Sequence, residues 1–169
     1  SDVYFREPES RSVQTRMMSI VTTGPETGYY VDVFRSRKER GGDKMHDYFY
    51  HNLGQEMTLT AADGTDLYLQ PTEELAFAGA HLYAYSYLFD KKCARKAVFT
   101  IKMPDKDDIL MNMWMKGEKD RTVFSALSPM TEGLSRTPGM PYNIKEQPTL
   151  TFVARQEGEA WNRPFVAVY

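Results

Sequence analysis

The sequence predicts an all-β fold, a multi-stranded antiparallel β-sandwich of super-sandwich type with little helix. Three observations carry this expectation. Short segments alternate polar and apolar residues with a period of two along most of the chain. Glycine and proline clusters break those segments at the close spacing typical of sandwiches and barrels. No segment holds helical periodicity for longer than about two turns, and a chain of many short strands without helices packs sheet on sheet.

Taken in order, Val3 to Phe5 reads as a short edge strand ahead of Pro8. From Val13 to Thr23 a longer strand sets Val13, Thr15, Met17, Ser19 and Val21 against Gln14, Arg16, Met18, Ile20 and Thr22. Gly24-Pro25 and Gly28 turn the chain into Tyr29–Gly54, the segment richest in groups able to do chemistry. Its first half puts Tyr29, Val31, Val33 and Arg35 on one face and Tyr30, Asp32 and Phe34 on the other. After Gly41-Gly42, Met45, Asp47, Phe49 and His51 oppose His46, Tyr48, Tyr50 and Asn52. This pattern predicts two strands paired as a hairpin with a long loop.

Met57 to Ala61 and Thr65 to Leu69 flank Asp63-Gly64, a short-hairpin signal. His81 to Phe89 alternates so that Tyr83, Tyr85 and Tyr87 form an aromatic strip. Such a strip suits half-buried sheet packing, or a platform for sugar rings. Arg95 to Met103 is a further strand, and Asp105, Asp107 and Asp108 form a polar turn without the glycine and distal glutamate of a calcium loop. Ile109 to Lys116 carries methionines at strand spacing, which predicts core filling. A hairpin turn at Gly117 to Asp120 leads to Thr122–Leu127. The proline-rich stretch from Ser128 to Pro148 reads as a long irregular loop. Thr149 to Arg155 and Pro164 to Tyr169 close the fold as strands.

Composition narrows the function. The chain has 169 residues, 41% hydrophobic and 26% charged, with a formal net charge of -2 and a pI near 5.9. That balance argues against an electrostatic nucleic-acid binder. The basic group Arg35, Arg37, Lys38 and Arg40 is interrupted by Glu39 and reads as a solvated loop. The single cysteine, Cys93, excludes an intrachain disulfide and a cysteine-based zinc site. No apolar run reaches the roughly 18 residues of a membrane helix, so no membrane partner is expected. A start at Ser1 and an apolar ending at Phe165–Tyr169 suggest one sandwich domain, residues 1–169, excised from a longer protein.

The candidate chemistry centres on Arg35, His46, Tyr48, Tyr50 and Asn52. A lyase that eliminates across a uronate needs a base, an acid and a neutraliser for the carboxylate, and these residue types supply them. His46 and His51 point to opposite faces, which keeps them from chelating one ion; neither a metal nor a cofactor is expected. No phosphate loop or nucleophile elbow occurs. The residues singled out for substrate binding are Arg35, His46, Tyr48, Tyr50, Tyr83 and Tyr85, with none singled out as catalytic.

Three stretches carry a family likeness. Tyr30-Val31-Asp32-Val33-Phe34-Arg35 leads to His46-Asp47-Tyr48-Phe49-Tyr50-His51, and Met103-Pro104-Asp105 leads to Met113-Trp114. Gln147-Pro148-Thr149-Leu150 leads to Arg155-Gln156-Glu157-Gly158-Glu159-Ala160-Trp161 and on to Tyr169. Together they resemble the C-terminal β-sheet region of heparinase II/III-like polysaccharide lyases of Bacteroides-type bacteria. The resemblance implies an N-terminal α/α toroid in the same parent protein as partner. It also implies an acidic, uronate-containing polysaccharide such as a glycosaminoglycan as ligand, cleavage by β-elimination, and a periplasmic or secreted location. The family's main catalytic Tyr, His and Asn belong to the toroid, and its His-x-His-x-Asp-x-Gly string is absent here. The implied role is therefore a non-autonomous, substrate-contacting domain. The alternative is a free-standing carbohydrate-binding module.

Overall fold

The computed structural model describes residues 1–8, 10–72, 86–90, 96–103, 107–128, 138 and 148–169. Among these residues there are twelve strands and no helix. They are β1 (Asp2–Arg6), β2 (Ser12–Thr22), β3 (Gly28–Lys38), β4 (Met45–Asn52), β5 (Glu56–Thr60) and β6 (Gln70–Pro71), followed by β7 (Ser86–Asp90), β8 (Lys96–Ile101), β9 (Ile109–Met115), β10 (Arg121–Ser128), β11 (Thr149–Glu157) and β12 (Ala160–Val168). A seven-stranded sheet runs β1-β2-β3-β12-β9-β8-β5, and a five-stranded sheet runs β4-β11-β10-β7-β6. All pairings are antiparallel. The expected all-β sandwich is the observed architecture.

Strand pairing departs from expectation in an informative way. β3 and β4 do not form a hairpin: β3 pairs with β2 and β12, whereas β4 pairs with β11. Residues 39–44 carry the chain from one sheet to the other, with Gly41 and Gly42 at φ of 83° and 73°. Only glycine adopts such angles without a Cβ penalty. The turn after β9 also crosses, since β9 belongs to the large sheet and β10 to the small one. Alternation reports which residues share a face, and it is silent on which strand lies alongside. The segment after Asp63-Gly64 forms a single bridge, Thr60 to Asp66, in place of a full strand.

The core lies between the sheets. Phe99, Met113, Met115, Phe165 and Ala167 of the large sheet meet Tyr48, Val123, Phe152 and Ala154 of the small one. Of the methionines that strand spacing places on one face of β9, Met113 and Met115 fill the core, whereas Met111 towards the start of the strand is exposed. Phe165 stacks against Tyr48 with centroids 5.6 Å apart, and Phe34 lies 5.9 Å from Phe165. The opposite face of the small sheet is buried as well, through Phe124, Ala126, Thr151 and Val153. A strand covered on both sides explains why Leu150–Gln156 is buried without interruption.

The large sheet is wider than its partner. β4, the edge of the small sheet, faces β3 and β12, as the Tyr48 contacts with Phe34 and Phe165 show. Beyond it β1 and β2 project as an overhang. Val3, Phe5, Met18, Ile20 and Tyr30 line the inner side of that overhang and are exposed.

Phe165 joins both sheets, so Phe165→Ala is expected to cost about 3–5 kcal/mol of unfolding free energy. Urea denaturation checks this; a loss below about 1 kcal/mol would place the core elsewhere.

Candidate functional site

Asp32 is the centre of a polar cluster built across the two sheets. The alternation of β3 turns its side chain inward, where it is fully buried. In the β2–β3 register Arg16 opposes Phe34 and Met18 opposes Asp32, so Arg16 is the diagonal neighbour of Asp32 on the same face. Arg16 Nε donates to both carboxylate oxygens at 3.0 and 3.1 Å, and Nη2 donates to Oδ2 at 2.6 Å. From the facing sheet the Tyr48 hydroxyl donates to Oδ2 at 2.7 Å. The Tyr48 and Tyr169 hydroxyls are also hydrogen-bonded to each other. Tyr50 stacks on Tyr169 with centroids 4.7 Å apart, and the Arg16 guanidinium lies 5.6 Å from the centre of the Tyr48 ring.

The electrostatics fix the protonation states. Burial pushes the Tyr48 hydroxyl far above its ordinary value, reinforced by Tyr169 and Asp32. Tyr169 is likewise raised, mainly by burial, as is Tyr50. The hydrogen bond to Asp32 holds Arg16 charged. These tyrosines are therefore neutral hydrogen-bond donors at physiological pH, and the arrangement equips none of them as a general base.

The structure divides the residues that the sequence singled out. His46, Tyr48 and Tyr50 share the inter-sheet face. His46 is nearly buried, with Nε2 2.8 Å from Asp43 Oδ1, at the wall of a hollow of about 260 Å³. Tyr48 is 2% exposed and saturated by the cluster. Arg35 lies on the other side of the large sheet, beside Tyr4, Thr15, Met17 and Val33 around a shallow hollow of about 400 Å³. Its Nη1 donates to the Trp161 carbonyl. Tyr83 and Tyr85 lie outside the described residues. Asn52 accepts a hydrogen bond from the Leu53 amide at 2.8 Å.

His51 points away from His46 and sits 2.9 Å from Thr151 Oγ1, with its pKa lowered by burial. Among the described residues no group of three His, Cys, Asp or Glu side chains is placed to hold a metal ion. Sequence reasoning passed over Arg16, Asp32 and Tyr169. The signal for Asp32 was present: it is an acid in the inward register of a strand, where a charge needs a partner.

Asp32→Ala would leave Arg16 and the Tyr48 hydroxyl without their acceptor, with an expected loss of about 3 kcal/mol in chemical denaturation. A loss under about 0.5 kcal/mol would show the cluster to be incidental. A second expectation concerns alkali. Tyr48 and Tyr169 bind their protons more tightly folded than unfolded, against an ordinary value of 10.0. Their contribution is complete below that ordinary value and is lost as pH rises beyond it. Tyrosinate absorbance should therefore show these two rings ionising only together with loss of the β-sheet circular dichroism. Ionisation of all eleven tyrosines in a chain that keeps its native dichroism would contradict this.

No protein-family model matches the chain, and no solved structure matches it. The chain is similar to an endo-acting ulvan lyase of Formosa agariphila, with 33% identity over 172 aligned residues. The similarity takes in 98% of this chain and 20% of the lyase, so the chain spans about one fifth of the length of that relative.

Proposed function

We propose that this chain is the β-sandwich domain of a polysaccharide lyase, an accessory unit that braces the catalytic part and helps to hold an acidic polysaccharide. One observation carries the reading: almost the whole sandwich aligns with a fifth of an ulvan lyase. Elimination from a uronate requires a base at the carbon next to the carboxyl group, an acid for the leaving oxygen and a cation on the carboxylate. Among the described residues the tyrosines of the inter-sheet cluster are held neutral, so binding and support fit this chain better than proton abstraction. The finer reading is a heparinase II/III-like enzyme whose partner is an N-terminal α/α toroid. Its substrate class is a uronate-bearing polysaccharide, either ulvan or a glycosaminoglycan. Polymers of that size are degraded outside the cytoplasm, which favours a secreted or periplasmic protein.

In this reading Arg35 meets acidic substrate on the outer face beside the exposed ring of Tyr4. His46 and Tyr50 shape the inner side, with Tyr48 holding the sheets in register. Tyr83 and Tyr85 keep the aromatic role suggested by their spacing.

The test is ultraviolet detection of unsaturated uronate from ulvan and from glycosaminoglycans, with this chain and the full-length protein assayed side by side. Product from the full-length protein alone is the expected result. Product from neither would overturn the lyase reading, and product from this chain alone would overturn the accessory role.

A further inference from the structure

The overhang of β1 and β2 beyond β4 makes a trough whose floor is the inner face of the large sheet. Along β2 the floor residues are Ser12, Gln14, Arg16, Met18 and Ile20, a span of roughly 27 Å at strand rise, long enough for several sugar rings. Edge strand β4 forms one wall. Among the described residues no strand pairs with its other side.

One end of the trough is polar and cationic. Its hollow of about 260 Å³ is lined by Gln14, Ser36, Lys38, Lys44 and His46, among others. Lys38 and Lys44 form no ion pair among the described residues. Ser36 Oγ, buried at this wall, has no hydrogen-bond partner among the described residues. The other end is aromatic and apolar, a hollow of about 520 Å³ beside Met18, Ile20 and Tyr30. Tyr30 is 48% exposed at this end, and Phe5, opposite Gln14 on the other side of Arg16, is 51% exposed on the same inner face.

Arg16 stands between the two ends. Asp32 grips its Nε and Nη2, which turns the Nη1 side of the guanidinium away from that carboxylate, and 41% of the side chain is exposed. A guanidinium locked by a buried acid loses little freedom when a second anion docks on its open edge. Planar carboxylates and sulfates match its fork of donors. Exposed aromatic faces flanking a fixed cation suit the alternating C–H faces and anionic groups of an acidic glycan.

We propose that this trough binds an acidic oligosaccharide, with Arg16 receiving a carboxylate or sulfate and Phe5 and Tyr30 packing on sugar faces. The proposal rests on the lyase reading for its ligand class, and the site it assigns is separate from the Arg35 face.

Isothermal titration of this chain with ulvan oligosaccharides tests it, using intact, carboxyl-reduced and desulfated forms. The intact form should bind, and removing one of the two anionic groups should weaken binding roughly tenfold, identifying which group Arg16 reads. Arg16→Lys keeps a cation for Asp32 but loses the fork, and should also weaken binding roughly tenfold. Should that variant unfold, the double variant Lys38→Gln/Lys44→Gln reads the cationic end independently, with a several-fold loss expected. Absence of binding by the native chain overturns the proposal, as does equal affinity for native and variant proteins. Absence of binding, with unsaturated product formed by the full-length protein, removes the trough and leaves the lyase reading intact. Arg16-dependent binding without elimination by the full-length protein does the reverse.

Discussion

A carboxylate sealed between two sheets must be neutralised where it stands, and Asp32 imposes that requirement on this fold. It is fully buried, and an unpaired charge in such a place would cost several kcal/mol. Arg16 from the neighbouring strand and Tyr48 from the facing sheet satisfy it together. One residue thereby couples in-sheet register to between-sheet placement. A slip of β2 by one position would turn Arg16 to the outer face and strand the acid. A slip of β4 would remove the Tyr48 hydroxyl and its link to Tyr169. Buried ion pairs add little net stability, whereas separating this one leaves a buried charge without its partner.

The two sheets divide the work. In the small sheet β11 is covered on both faces, and there Arg155 is paired with Asp47 through two bonds of 2.7 Å. The large sheet has one face in the core and one open, with Tyr4, Met17 and Trp114 among its exposed side chains. Its extra width produces the overhang. A sheet that outgrows its partner leaves inner-face residues uncovered, and such concave strips are natural places for ligands.

Much of the fold was legible because strand periodicity is strong in this chain. The inward set of β3 and β4 and the core role of Met113 and Met115 follow from counting by twos. The candidate site was legible only in part. His46, Tyr48 and Tyr50 share a face through sequence spacing alone, whereas Arg35, equally plausible as a carboxylate neutraliser, belongs to the opposite face of its own strand. Arg16 gave no separate signal, being one of several charged residues in alternating strands, and its importance comes from Asp32 sixteen residues away.

The sequence by itself determined the all-β class, most of the strands and the faces along β2, β3 and β4, because a period of two is a local property of extended backbone. It also determined that Gly41 and Gly42 would turn the chain. Only the tertiary structure decided that this turn crosses between sheets, that β4 lies over β3 and β12, and that Arg16, Asp32, Tyr48 and Tyr169 meet. Those outcomes depend on contacts between residues from 16 to 121 positions apart. Neither spacing nor composition encodes such contacts, which form only when both sheets bury their inner faces against each other.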